Sequence, residues 1–78
     1  MRTPHIDDRV RLVANVPETP LTRGQVGIVC STWPTADEPT FEVEFSDGVP
    51  DGVMRRLLTI RQIEIDLDTE RGVTQPTH

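Results

Sequence analysis

The spacing of apolar and polar residues along the chain predicts strands and no helix. Val10, Leu12 and Ala14 alternate with Arg9, Arg11 and Val13. That two-residue period is the mark of a half-buried strand, so a first strand is expected over Asp8 to Ala14. Asn15 to Arg23 follows and carries Pro17 and Pro20. Neither proline suits a central strand or a helix interior, because proline has no amide hydrogen to donate. This stretch is therefore read as a long loop, pinned to the core by its one large apolar residue, Leu21. Gly24 opens a second strand, Gln25 to Trp33, in which Val26, Ile28 and Cys30 share a face and are expected to point inward. Gly27 sits in the middle of it. A glycine there weakens the strand unless a bend or a close backbone approach requires it, and closing a small barrel needs such bends.

The third strand has the cleanest pattern. Phe41-Glu42-Val43-Glu44-Phe45 alternates strictly, with two aromatics and a valine on one face and two glutamates on the other. Pro34 to Thr40 precedes it as a loop with two prolines. Ser46 to Gly52 follows and is dense in turn residues. A fourth strand is expected from Val53 to about Ile60, then a short turn near Arg61-Gln62 and a brief last strand, Ile63 to Leu67. Leu57, Leu58 and Ile65 also fall at helical spacings. The β-branched content of Met54 to Ile65 and the preceding turn favour strands.

Five short strands, with a long loop after the first and tight connections later, predict an all-β fold: a small five-stranded barrel. Val10, Leu12, Val26, Ile28, Phe41, Val43 and Phe45 would fill its interior. The folded part is expected over residues 8–67, with 1–7 a loose charged lead-in. Residues 68–78 are polar, with few large apolar groups, and are expected to form a flexible, disordered tail.

A chain of 78 residues makes one domain and buries only about 60–65% of the surface its unfolded form exposes. Its single cysteine, Cys30, cannot form an internal disulfide. No run of residues reaches the roughly 18–20 apolar positions of a membrane span, and the first residues lack the apolar stretch of a signal peptide. A lone thiol without an export signal points to a reducing cytoplasm. The net charge of −5 is the wrong sign for nucleic-acid binding, which rests on neutralising phosphates. All eight basic residues are arginine, which a GC-rich bacterial genome explains simply.

Several residues carry groups capable of chemistry or recognition. Arg23 beside Gly24 reads either as a recognition loop or as a solvated arginine next to a turn glycine. Gly24 and Gly27 form no phosphate cradle, because no helix N-terminus follows them. Glu42 and Glu44 fit the solvated face of an amphipathic strand better than an acid–base pair. Asp47 and Asp51 fit turn chemistry better than a calcium loop, which needs more oxygen ligands at other spacings. Arg55-Arg56 is the only adjacent basic pair and, with Arg9 and Arg11, could build a modest patch or simply be scattered surface charge. Cys30 has no histidine near it in sequence to activate it, and reads as a small buried apolar residue. His5 and His78 lie near opposite ends of the chain, so no metal cluster is expected and no cofactor is implied. Trp33-Pro34 is the strongest candidate for partner contact. One tryptophan, two inward phenylalanines and no tyrosine cannot line an aromatic groove for proline-rich peptides. Trp33 therefore either meets a partner or caps one end of the barrel.

Val10-Arg11-Leu12, then Gly24-Gln25-Val26-Gly27-Ile28-Val29 and Phe41-Glu42-Val43-Glu44-Phe45, resemble the strands of SH3-like barrels, including the KOW-type barrels of ribosomal proteins and transcription factors. From about Asp8 to Ile65 the chain most resembles a family of small bacterial proteins, domain-of-unknown-function family 4926. Pro17-Glu18, Leu21, Arg23-Gly24, Val26-Gly27, Val29 and the Phe41 to Phe45 strand carry the likeness. The Gly48 to Gly52 turn looks longer than the family's, which leaves the register after Phe45 open. The same spacing is similar to the barrel of the nitrile hydratase β subunit, which supports a metal-bearing partner and holds no metal itself.

Together these readings predict a non-enzymatic protein-interaction or accessory module whose partner is not specified, with Trp33, Arg23, Arg55 and Arg56 as its contact residues. An RNA- or ribosome-associated barrel is the alternative from another class, carried by likeness of fold alone. A nitrile-hydratase-like accessory subunit is a third, and a small enzyme would need a site assembled between copies. A monomer, or a weak homodimer formed through an exposed edge strand, is expected, with no membrane partner.

Overall fold

Five strands run in chain order: β1 (Arg9–Leu12), β2 (Val26–Trp33), β3 (Thr40–Phe45), β4 (Met54–Thr59) and β5 (Ile63–Ile65). They were obtained in a computed structural model that describes residues 3–34, 37–50 and 52–66. All neighbours pair antiparallel in one sheet of order β4-β3-β2-β1-β5. No helix occurs among the described residues, so the all-β reading holds and Met54 to Ile65 is two strands. The expectations for Asp51, Leu67 and the 68–78 tail lie outside the described residues.

β4 and β5 are the two edges of this sheet, yet only Ile60, Arg61 and Gln62 join them. Four flat strand-to-strand steps would set the edges about 19 Å apart. The connection from Thr59 to Ile63 reaches at most about 14 Å. The sheet is therefore rolled, bringing its edges toward each other at this corner. It is not closed, so the expected barrel is met in part, as an open, rolled sheet. The turn at this corner bonds to itself. The Thr59 amide donates to Gln62 Oε1 at 2.9 Å and the Gln62 amide to Thr59 O at 3.0 Å. The corner satisfies its own backbone, and no ladder joins β4 to β5.

The core lies on one face. It comprises Val10 and Leu12 of β1, Val29 of β2, Phe41, Val43 and Phe45 of β3, Leu58 of β4, and Ile63 and Ile65 of β5. Val16 and Leu21 from the long loop complete it. Leu21 is fully buried, the pin expected of it. Pairs from Phe45↔Met54 to Thr40↔Thr59 fix the register after Phe45.

β2 departs from the reading of its sequence. Gly27 and Val29 are buried, Val26 is half-buried and Ile28 is 38% exposed, so Val26 and Ile28 do not fill the interior. A Cβ on Gly27 would lie 2.6 Å from Val43 Cγ1, 2.8 Å from Glu44 O and 2.9 Å from Phe45 Cδ2. Only a glycine fits where β2 presses on β3, and that contact turns the odd positions inward. Gly27 thus serves the close backbone approach anticipated for it. The register then shifts between Val29 and Ser31, a β-bulge with Cys30 as the extra residue. Cys30 is half-buried beside Glu44 rather than buried in the core.

The other strand ends shift slightly. β1 stops at Leu12, and Ala14 is exposed in the bend that starts the long loop. That loop is internally bonded: Val16 N–H to Leu21 O at 3.0 Å, Thr19 Oγ1 to Val16 O at 2.8 Å, and Gly24 N–H to Leu12 O at 2.9 Å. Gly24 has φ +92°, the left-handed conformation that glycine adopts without strain. The lead-in is not loose where it is described. Pro4 is fully buried. The Asp7 amide donates to Val29 O at 2.8 Å, and the Val29 amide donates to Asp8 O at 2.9 Å. Asp8 Oδ2 also accepts the His5 amide at 2.7 Å. These bonds dock residues 3–8 against the middle of β2.

Candidate functional site

The bulge at Cys30 decides where Trp33 points. Val29 faces Val43 in the core, and a strand that kept this phase would turn Trp33 inward too. The one-residue shift instead sets Thr32 opposite buried Phe41 and Trp33 opposite Thr40. Trp33 ends β2 46% exposed. A bulge beside a functional surface re-aims a side chain in this way.

Trp33 forms one wall of an open cleft of about 640 Å³. Pro4 and Phe41, both buried, make the floor. Ile6, Pro34 and Pro39 supply further apolar surface, and Ile6 is itself 56% exposed. Three segments far apart in sequence meet here: the docked lead-in, the end of β2 and the start of β3. Among the described residues of the lining, His5 is the one titratable side chain. The volume falls within the range of small-molecule and peptide pockets, and apolar lining is what such sites share.

The remaining contact candidates lie elsewhere. Arg23 is exposed in the long loop, its amide held by Asn15 Oδ1 at 2.9 Å. Arg55 and Arg56 are neighbours on β4 and so project to opposite faces. Arg55 Nε donates to Glu44 Oε1 at 3.0 Å on the outer face. Arg56 pairs with Val43 in the ladder, on the core-facing side, but stays exposed at the sheet edge. Arg9 shares a cross-strand row with Arg55, separated by Ile28 and Glu44. Arg11 Nε donates to Glu64 Oε2 at 3.1 Å, and its Nη1 lies 3.8 Å from buried Asp66. Arg55 and Arg11 are thus engaged by acidic neighbours, and Arg9, Arg11, Arg55 and Arg56 do not come together in one basic patch.

Glu42 and Glu44 flank the same outer face, as a solvated strand face requires. Burial raises the Cys30 thiol above its ordinary value, the Glu44 and Glu42 carboxylates add to that, and Arg55 opposes it. A thiol so placed stays protonated at neutral pH and is a poor nucleophile. Asp47 sits in the β3–β4 turn, where its carbonyl oxygen accepts the Gln25 side-chain amide.

Sequence reasoning singled out Trp33 and Pro34 but missed Pro4, Ile6 and Pro39. A proline at position 4 and an isoleucine at position 6 were the available signal, since a charged lead-in gives no reason for either.

An open antiparallel five-stranded sheet with a small core and an apolar cleft at one end defines the class: a small all-β domain. The family described as "Domain of unknown function (DUF4926)" matches residues 6–67, and the chain belongs to it. No curated protein and no solved structure matches the chain.

Proposed function

We propose that this domain is a non-catalytic protein-interaction or accessory module that binds its partner through the Trp33 cleft. The exposure of Trp33 beside Pro4, Ile6 and Phe41 carries this reading. A half-exposed tryptophan over an apolar floor is the kind of anchor around which binding energy concentrates. The partner is a protein that presents an apolar side chain to the cleft, and the polar rim provides little else for it to hold. An accessory role beside an enzyme, in a bacterial cytoplasm, is the form the reading takes. No helix among the described residues is long and apolar enough to cross a membrane.

The test uses Trp33 twice. Partners captured from native cell extract are compared between the wild-type protein and Trp33→Ala. A partner lost with the variant is then titrated into wild-type protein while the emission of Trp33, the only tryptophan, is followed. A blue shift that saturates with the partner supports the cleft. Binding that leaves the emission unchanged and survives Trp33→Ala removes it. The RNA-associated reading has its own arm. Retention on RNA at about 50 mM salt, weakened by Arg55→Ala or Arg56→Ala, would favour it. The Arg55–Glu44 pairing and the net charge of −5 weigh against that outcome.

A further inference from the structure

The outer face of the sheet has an ordered distribution of charge that follows its strands. β5 presents Glu64 and β1 presents Arg9 and Arg11. β2 presents Val26 and Ile28, β3 presents Glu42 and Glu44, and β4 presents Arg55 and exposed Leu57. In sheet order from β5 to β4 the signs run negative, positive, apolar, negative, positive. Arg9 and Glu42 make no ion pair with any described residue.

From this pattern we infer that the outer face is the interface of a two-fold dimer between copies of this chain. Place the axis along β2. A half-turn then sets β1 of one copy over β3 of the other, and the apolar strand meets itself. The register brings one pair of opposite charges together there. Arg9, Ile28 and Glu44 lie in one cross-strand row, so Arg9 of each copy faces Glu44 of the other, with Ile28 against Ile28 between them. Within one copy Arg9 and Glu44 stand two strands apart, about 10 Å. A closed two-fold contact needs this self-complementarity.

The β4 edge is less suited to a second copy. Arg55 and Arg56 stand on it, Arg56 projecting toward the core side, and charges so placed discourage a further strand. The Thr59 amide on this strand is already taken by Gln62. A patch three strands wide and five residues long spans about 14 by 17 Å, below the roughly 800 Å² each partner gives a standard interface. The dimer is therefore weak, reversible and sensitive to salt. Neither Trp33 nor the cleft takes part in it.

Sedimentation equilibrium of the full chain, from about 10 µM to 1 mM, tests the contact in the range where sub-standard interfaces associate. The wild-type protein is expected to dimerise, and less so as salt rises. Arg9→Glu sets like charges opposite Glu44, and Glu44→Arg does the same opposite Arg9. Each variant alone should associate at least about tenfold more weakly. Mixed in equal amounts, they should form a heterodimer to within about threefold of the wild-type affinity, because both contacts are then of opposite sign. Ile28→Lys should abolish association while leaving thermal unfolding near that of the wild type. A strict monomer at the highest concentration overturns the inference. So does a mixture that fails to associate, or a dimer that Arg9→Glu and Ile28→Lys leave intact, which would move the contact to the β4 edge.

Discussion

β2 and β3 lie side by side and share a ladder, yet their sequences relate to their burial in different ways. In β3, Phe41, Val43 and Phe45 are buried while Glu42 and Glu44 face outward. Size and polarity change together at each step, so one register satisfies both. In β2 the two signals conflict. Val26 and Ile28 are the larger apolar groups of its first half, but the space beneath β2 is already filled by Val43 and Phe45. Only a residue without a side chain can sit there. Packing volume overrides hydrophobicity, and Ile28 is turned to the surface. The two strands together show that a strand's inward face is chosen by what its neighbour leaves room for.

Removing the large residue of β3 should do the most damage. Phe45→Ala is expected to cost about 4 kcal/mol, close to the whole stability of a domain this small, and circular dichroism should find it largely unfolded. Filling the gap in β2 comes next. Gly27→Ala forces a methyl group onto the Glu44 carbonyl as well as onto Val43, and should cost about 3 kcal/mol in urea unfolding. If Gly27→Ala is tolerated without loss, the close approach of the two strands is wrong. Third, Val29→Ala should cost about 2 kcal/mol and Ile28→Ala less than about 1 kcal/mol. The reverse order would restore the inward Ile28 that simple alternation suggests. The smallest effect concerns Cys30. Cys30→Ser should leave stability nearly unchanged. The thiol itself should react with iodoacetamide more slowly than free cysteine at pH 8, its rate rising only toward pH above the ordinary thiol value, because burial and Glu44 hold it protonated. The sign is fixed by the direction of that shift. A raised thiol value favours the protonated form in the folded state, so any contribution to stability is present at neutral pH and fades as pH climbs past the ordinary thiol value.

Much of the fold was legible because local pattern and tertiary environment agree. The alternation of Phe41 to Phe45, the prolines of the 15–23 loop, the pin at Leu21 and the turn after Phe45 each follow from residue chemistry alone. What escaped depends on contacts between distant segments. The phase of β2 is set by Val43 and Phe45, more than a dozen residues away. Its bulge at Cys30 leaves no trace in residue type, since a cysteine between a valine and a serine looks like any strand position. The bond from the Thr59 amide to the Gln62 side chain at the open corner likewise leaves no mark in residue type. The cleft was half legible. Trp33 and Pro34 stand out in the sequence, but Pro4 and Ile6 reach them only through the hydrogen bonds of Asp7 and Asp8 to Val29.

The cleft depends on how β2 changes phase at Cys30, and Trp33 reports on that change directly. It is the only tryptophan in a chain without tyrosine, so its fluorescence has one source. In the native protein the emission should be close to that of the denatured chain and should be quenched readily by iodide. A native emission shifted well to the blue and protected from iodide would put Trp33 inside the core, and would contradict the bulge and the cleft together.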